Sequence, residues 1–124
     1  GRTAEGLKEG LEKIKDIRKE FDTNLFIPGD KEGLNVELDN ANHLRDFITM
    51  GELIAYDALS RNESCGGHFR EEYQTEEGEA KRDDEHYFYV GCWEYQGSDE
   101  KAPELLKEPL EYEAIKVQTR NYKN

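Results

Sequence analysis

Apolar residues recur at helical spacing over the first sixty residues. From Thr3 to Phe21, Leu7, Leu11, Ile14 and Phe21 follow one another at intervals of three, four and seven, with Ile17 beside them. That spacing predicts a helix with one apolar stripe. Thr3 is placed to cap it by accepting a backbone N–H bond. Gly6 and Gly10 fall inside the helix, where each costs about 1 kcal/mol against alanine. They are either tolerated or leave room for another helix to approach closely. From Asp22 to Leu34 the periodicity stops. Pro28-Gly29-Asp30 and Gly33 carry turn chemistry, and Phe26 and Ile27 are expected to pin the connection to the helices.

A second, longer helix is predicted from Asn35 to Arg61. Leu38, Ala41, Leu44, Ile48, Ala55 and Leu59 form its stripe, with Phe47, Met50 and Ile54 alongside. Glu37 and Asp39 at its start and Arg61 at its end complement the helix dipole. Two antiparallel helices each bury only one face, so a third layer is expected. The stripe of Leu7, Leu11, Ile14 and Ile48 is expected to be covered by a missing partner helix, from upstream sequence or from self-association with a second copy.

Residues 62–85 read as an irregular loop rich in acidic side chains, with Gly66-Gly67 stopping any helix. His86 to Tyr95 reads as an aromatic, β-branched strand. Leu110 to Val117, alternating apolar and acidic, is its expected partner. Pro103 and Pro109 would confine this pair to an edge hairpin. Asn121 to Asn124 is expected to be a frayed tail.

Composition narrows the possibilities. The 124 residues suffice for one domain. The formal charge of −12 repels phosphate backbones and anionic lipid surfaces, so the expectation is no nucleic acid. The same charge repels a small dicarboxylate, and a site for one would need a local basic cluster. No run of apolar residues is long enough to span a membrane, and no signal-peptide pattern is present. Cys65 and Cys92 are too few for a disulfide scaffold, so free thiols in a reducing cytoplasm are expected. The opening Gly1-Arg2-Thr3, without an initiator methionine, suggests a fragment or processed product.

The densest chemistry lies between Arg61 and Asp84: Arg61, Glu63, Ser64, Cys65, Gly66, Gly67, His68 and Arg70, then Arg82, Asp83 and Asp84. Arg61, Arg70 and Arg82 can each pair in bidentate fashion with Glu63, Asp83 or Asp84. The bland reading is a salt-bridged latch that docks the loop on a neighbouring surface. Two chemical alternatives are open on residue type. Cys65-x-x-His68 with His86-x5-Cys92 offers zinc ligands, though at no standard spacing. Ser64 or Cys65 with His68 offers a nucleophile and base, though with no third orienting group.

The run Ala58-Leu-Ser-Arg61-Asn-Glu63-Ser64-Cys65-Gly66-Gly67-His68-Phe-Arg70, followed by Arg82-Asp83-Asp84, resembles the C-terminal domain of succinate dehydrogenase and fumarate reductase flavoprotein subunits. Three features depart from the family pattern. Cys65 stands where the family usually has Arg, Glu72 replaces an Asp, and Thr75 to Lys81 looks like an insertion where a Pro should precede Arg-Asp-Asp. The resemblance implies a mainly α fold, part of an up-and-down, spectrin-repeat-like three-helix bundle lacking its first helix, with a motif loop and a small C-terminal β-hairpin. It implies FAD on a separate N-terminal flavin domain, on which this domain packs. It also implies an iron–sulfur subunit and a membrane cytochrome subunit, at the cytoplasmic face of a bacterial inner membrane. The parent reaction would be succinate–fumarate interconversion within electron transport and the tricarboxylic acid cycle. This chain alone would bind no cofactor and be inactive. His68 and Arg70 are the residues most apt to reach toward the active-site region, with a structural hydrogen-bonding role as the plainer reading for both. The other functional reading is an acidic helical interaction module with no catalytic parent.

Overall fold

The computed structural model describes residues 1–30 and 32–118. Helix α1 spans Ala4–Asn24, and its cap Thr3 accepts from the Gly6 amide through Oγ1 at 3.0 Å. It runs three residues past Phe21 because Asp22-Thr23-Asn24 contains no breaker, and Leu25 then turns extended. Helix α2 spans Val36–Ser60, between the cap Asn35, whose side chain accepts from Leu38, and Arg61. At 1.5 Å per residue it is about 37 Å long. The helices are antiparallel, since Arg18 reaches Thr49 and Glu52 while Asp22 meets Arg45. No described helix is long and apolar enough to cross a membrane.

Among the described residues, the buried apolar ones are Leu11, Ile48, Ala58 and Tyr89. This corrects the expected open stripe. Leu11 and Ile48 are covered within the chain itself, and Leu7 and Ile14 are half-buried. The large exposed apolar residues of α2 are instead Val36, Leu38, Leu44, Phe47, Met50 and Ile54. Both helices carry apolar residues over more than one stripe, and α1 covers the side of α2 that holds Ile48. Among the described residues, the two glycines of α1 bring no other element into close approach. A Cβ at Gly10 would meet nothing within 4 Å, and one at Gly6 would meet only its own cap, Thr3.

Residues 62–83 are a loop stitched by backbone bonds. Cys65 and His68 exchange both, at 2.8 and 3.0 Å, around a Gly66-Gly67 tip in which Gly66 takes φ +58°. A non-glycine residue there would be strained. A single helical turn, α3, follows at Asp84–Tyr87, capped by Asp83. The strand therefore begins at Tyr89 and not at His86. Strand β1 spans Tyr89–Glu94 and pairs antiparallel with β2, Glu104–Pro109.

The pairing partner is a second correction. The register sets Tyr89 against Pro109 and Trp93 against Leu105, while residues 110–118 form no regular element. The connection holds Gly97 at φ +80° and reaches Pro103, which brings the chain back early enough for Leu105 to face Trp93. Pro109 falls on the last pair, where a missing N–H is tolerated. Along β1, Tyr89, Gly91 and Trp93 are more buried than their neighbours. The Trp93 indole donates to Asp57 of α2 at 3.1 Å, and a Cβ at Gly91 would press on Leu105 at 3.1 Å. The hairpin is thus held against the C-terminal half of α2. The tail at 121–124 lies outside the described residues.

Candidate functional site

The motif loop closes over the C-terminal end of α2, and its charges turn inward. Arg70 is 1% exposed. Its Nη1 donates to the carbonyls of Ala58 at 3.1 Å and Arg61 at 3.3 Å, and its Nε donates to Glu72 at 3.1 Å. A helix leaves its last carbonyls unpaired, at the negative end of its dipole. A buried guanidinium satisfies both needs. Its face also lies over the Tyr73 ring, with Cζ 5.4 Å from the centroid. Arg70 and the Ala4 amide hold the Glu72 carboxyl down to about 2.

Arg61 forms the second pair. Its Nε donates to Glu63 at 3.0 Å, Nη2 bonds the same carboxylate, and Nη2 also donates to the Tyr87 carbonyl at 2.7 Å. The guanidinium lies over the Tyr87 and Tyr89 rings. Glu63, 2% exposed, uses its other oxygen to accept from the Asp83 amide at 3.2 Å. Arg82 pairs with Asp84 through Nε at 2.9 Å. Asp83 accepts from the His86 amide and pairs with the imidazole, at 2.9 Å from Oδ2 to Nδ1. That contact raises His86 and lowers Asp83 from their ordinary values. Arg61 and Arg82 therefore take carboxylates from the expected set, whereas Arg70 takes Glu72 and Asp83 takes a histidine.

His68 is held at both ring nitrogens. Nε2 lies 3.1 Å from the Arg61 carbonyl, which only accepts, and Nδ1 lies 3.1 Å from Arg2 Nη1, which only donates. The partners assign a neutral imidazole with its proton on Nε2. Arg2 is itself fixed, because its amide donates to the Phe69 carbonyl at 3.2 Å and its carbonyl accepts from Glu71 at 2.8 Å. Nothing local in the sequence signals this contact across 66 positions.

The two chemical alternatives fare poorly in this geometry. Ser64 is fully buried with its hydroxyl between the backbone groups of Arg70, and neither nitrogen of His68 faces it. The zinc candidates do not converge. His68 is occupied, His86 pairs with Asp83, and Cys92 is exposed on β1. Among the described residues no group of three or more His, Cys, Asp or Glu could hold a metal ion.

Residues 1–122 of the 124 match the profile of the family described as fumarate reductase flavoprotein C-term. The chain belongs to that family. An uncharacterised FAD-dependent oxidoreductase of Methanocaldococcus jannaschii is 35% identical over 72 residues, covering 58% of this chain and 12% of that relative. The FrdA chain of an E. coli quinol fumarate reductase mutant shares the fold, with a TM-score of 0.77 at 20% identity, over 95% of this chain and 19% of that one. This member of the fumarate reductase flavoprotein C-terminal family thus spans a small part of the length of the proteins it resembles. FAD needs a strand, a glycine turn and a helix N-terminus to cradle its pyrophosphate. Here both strands follow the long helices, and the α1 and α2 N-termini are capped by Thr3 and Asn35. The described residues do not fit that cofactor.

Proposed function

We propose that the chain serves as the C-terminal domain of a flavoprotein subunit that interconverts succinate and fumarate. The match of residues 1–122 to the fumarate reductase flavoprotein family carries this reading. The flavin sits on a separate domain of the parent polypeptide and supplies the redox chemistry. Electrons pass through an iron–sulfur subunit and a membrane cytochrome subunit to quinone, at the cytoplasmic face of a bacterial inner membrane. The 124 residues bind no flavin and are inactive alone.

The latch supports a mechanical role for this domain. Its charged groups are spent on one another: Arg61 on Glu63, Arg70 on Glu72, Arg82 on Asp84. A net charge of −12 offers no attraction to a dicarboxylate, so the substrate clamp lies on the flavin domain. His68 and Arg70 act in this reading as positioning residues that lock the loop to α2.

The test is expression of the chain alone and of the longer flavoprotein that contains it. The flavoprotein is expected to carry FAD and to oxidise succinate or reduce fumarate with an artificial electron carrier, and the chain alone to do neither. Bound flavin or turnover in the chain alone overturns the assigned inactivity. A flavin-loaded parent that acts on neither acid overturns the substrate assignment.

A further inference from the structure

A cavity of about 290 Å³ lies between α1, α2 and the connection that joins β1 to β2. Leu53, Trp93, Tyr95 and Pro103 line it with apolar surface. The Trp93 indole N–H is already spent on Asp57, so this residue offers the cavity only its ring. Arg18 lines the cavity from α1. Its Nη2 donates to Glu52, and its Nη1 donates to Thr49 at 3.3 Å and to Asp99 at 3.4 Å. Among the described residues its Nε has no partner, although it is shut off from solvent. Nearly every buried donor in a native fold is paired, so this one calls for an acceptor. Arg18 and Ser98 also line a wider cleft beside the cavity, which gives a ligand a way in.

We propose that this cavity binds a small, uncharged, planar ring compound bearing a carbonyl oxygen, which stacks on Trp93 and accepts from Arg18 Nε. Such a site is independent of the reaction proposed above. Three observations select this chemistry. The unpaired group is a donor, which an acceptor oxygen satisfies and a cation does not. Arg18 and Lys101 are matched in the lining by Glu52 and Asp99, so no charge is left over for an anion, and the chain's −12 repels one. The volume suits one or two rings, since a cavity of about 150 Å³ already takes up benzene. Asp99 makes the longest of the Arg18 contacts on a side chain 45% exposed, and it is the contact that yields as the ligand enters.

Trp93 is the chain's single tryptophan, so its fluorescence reports on the cavity without labelling. Benzamide titrated into the 124-residue chain is expected to change that emission saturably, with a dissociation constant on the order of 1 mM. Toluene lacks the acceptor, while benzoate and benzylamine carry charge, and each is expected to bind about tenfold more weakly. Arg18→Met is expected to weaken benzamide about tenfold and to leave toluene unchanged. Arg18 also ties α1 to α2, so Ser98→Phe, in the loop, is the variant that keeps the fold. It fills the entrance and is expected to abolish the benzamide response at an unchanged melting temperature. No saturable response to benzamide overturns the proposal, as does a response that survives Ser98→Phe. Toluene binding as tightly as benzamide overturns the contact with Nε, and tighter binding of benzoate or benzylamine overturns the uncharged class.

Discussion

The hydroxyl of Ser64 is bonded to both backbone groups of Arg70, accepting from its amide at 2.8 Å and donating to its carbonyl at 3.1 Å. The carbonyl has a second donor in the Tyr73 amide, but among the described residues Ser64 alone serves the amide. Ser64→Ala therefore leaves one buried N–H without a partner, at an expected cost of about 1–3 kcal/mol. Urea unfolding should show a lower midpoint at unchanged slope. An unchanged midpoint would mean that the hydroxyl is dispensable.

Arg70 should be intolerant even of lysine. Lysine keeps the charge but cannot reach the carbonyls of Ala58 and Arg61 and the Glu72 carboxylate together, as the guanidinium does. Arg70→Lys is expected to lose about 1–3 kcal/mol, and Arg70→Met more, because it leaves the carbonyls of both Ala58 and Arg61 without this donor. Chemical denaturation of the three proteins tests the order. Equal stability of the lysine variant and the parent sequence would show that charge alone matters.

Acid should weaken the same contact. The Glu72 carboxyl lies at about 2, well below its ordinary 4.5, because it accepts hydrogen bonds from the Arg70 guanidinium and the Ala4 amide. A lowered carboxyl contributes stability that is fully present above its unfolded value and is lost as pH falls through the folded one. The window is pH 4.5 down to about 2. Carboxyl-carbon NMR should place the Glu72 titration at the bottom of that window, and Glu72→Gln should flatten the fall in melting temperature across it.

The His86–Asp83 pair has the opposite sign. Asp83 hydrogen-bonds the imidazole and raises its pKa above the ordinary 6.5. The contribution of charged His86 is thus present below 6.5 and fades as pH rises through the raised value. Proton NMR of the ring should show a titration above 6.5 that Asp83→Asn brings back down.

The parts of this structure legible in the sequence are those made by near neighbours. Thr3 and Asn35 announce their helices, and the spacing from Leu7 to Ile14 and from Leu38 to Leu59 announces their lengths. Glu63 and Asp84 belong to the carboxylate set that the sequence offers the three arginines, but order alone does not match Arg61 to Glu63 or Arg82 to Asp84, and Arg70 takes Glu72, equally close and outside that set. The β-hairpin partner could not be named either. Leu110 to Val117 alternates more cleanly than Glu104–Pro109, but pairing follows the turn through Gly97 and the seat of Trp93 on Asp57. Which apolar residues of α2 stay uncovered was equally hidden, because periodicity shows that a face is apolar and not which face α1 takes. Within the latch, Arg2 was invisible as a partner of His68, since only the folded chain brings them together.

That last contact also orders events in time. Arg18 meets Thr49 and Glu52 across 31 and 34 positions, whereas Arg2 meets His68 across 66. Doubling a loop adds only about 0.6 kcal/mol of closure entropy, so the longer loop is not what delays the Arg2 stitch. The delay comes from dependence: His68 has a fixed ring only after the Arg61 carbonyl at the end of α2 is in place to receive it. The helical pair is accordingly expected to form from its own contacts first, with the first residues of the chain joining the latch afterwards. Amide hydrogens at Arg2 and Glu71 should accordingly lose their protection before those of mid-α2, with the molecule opening from the latch inward.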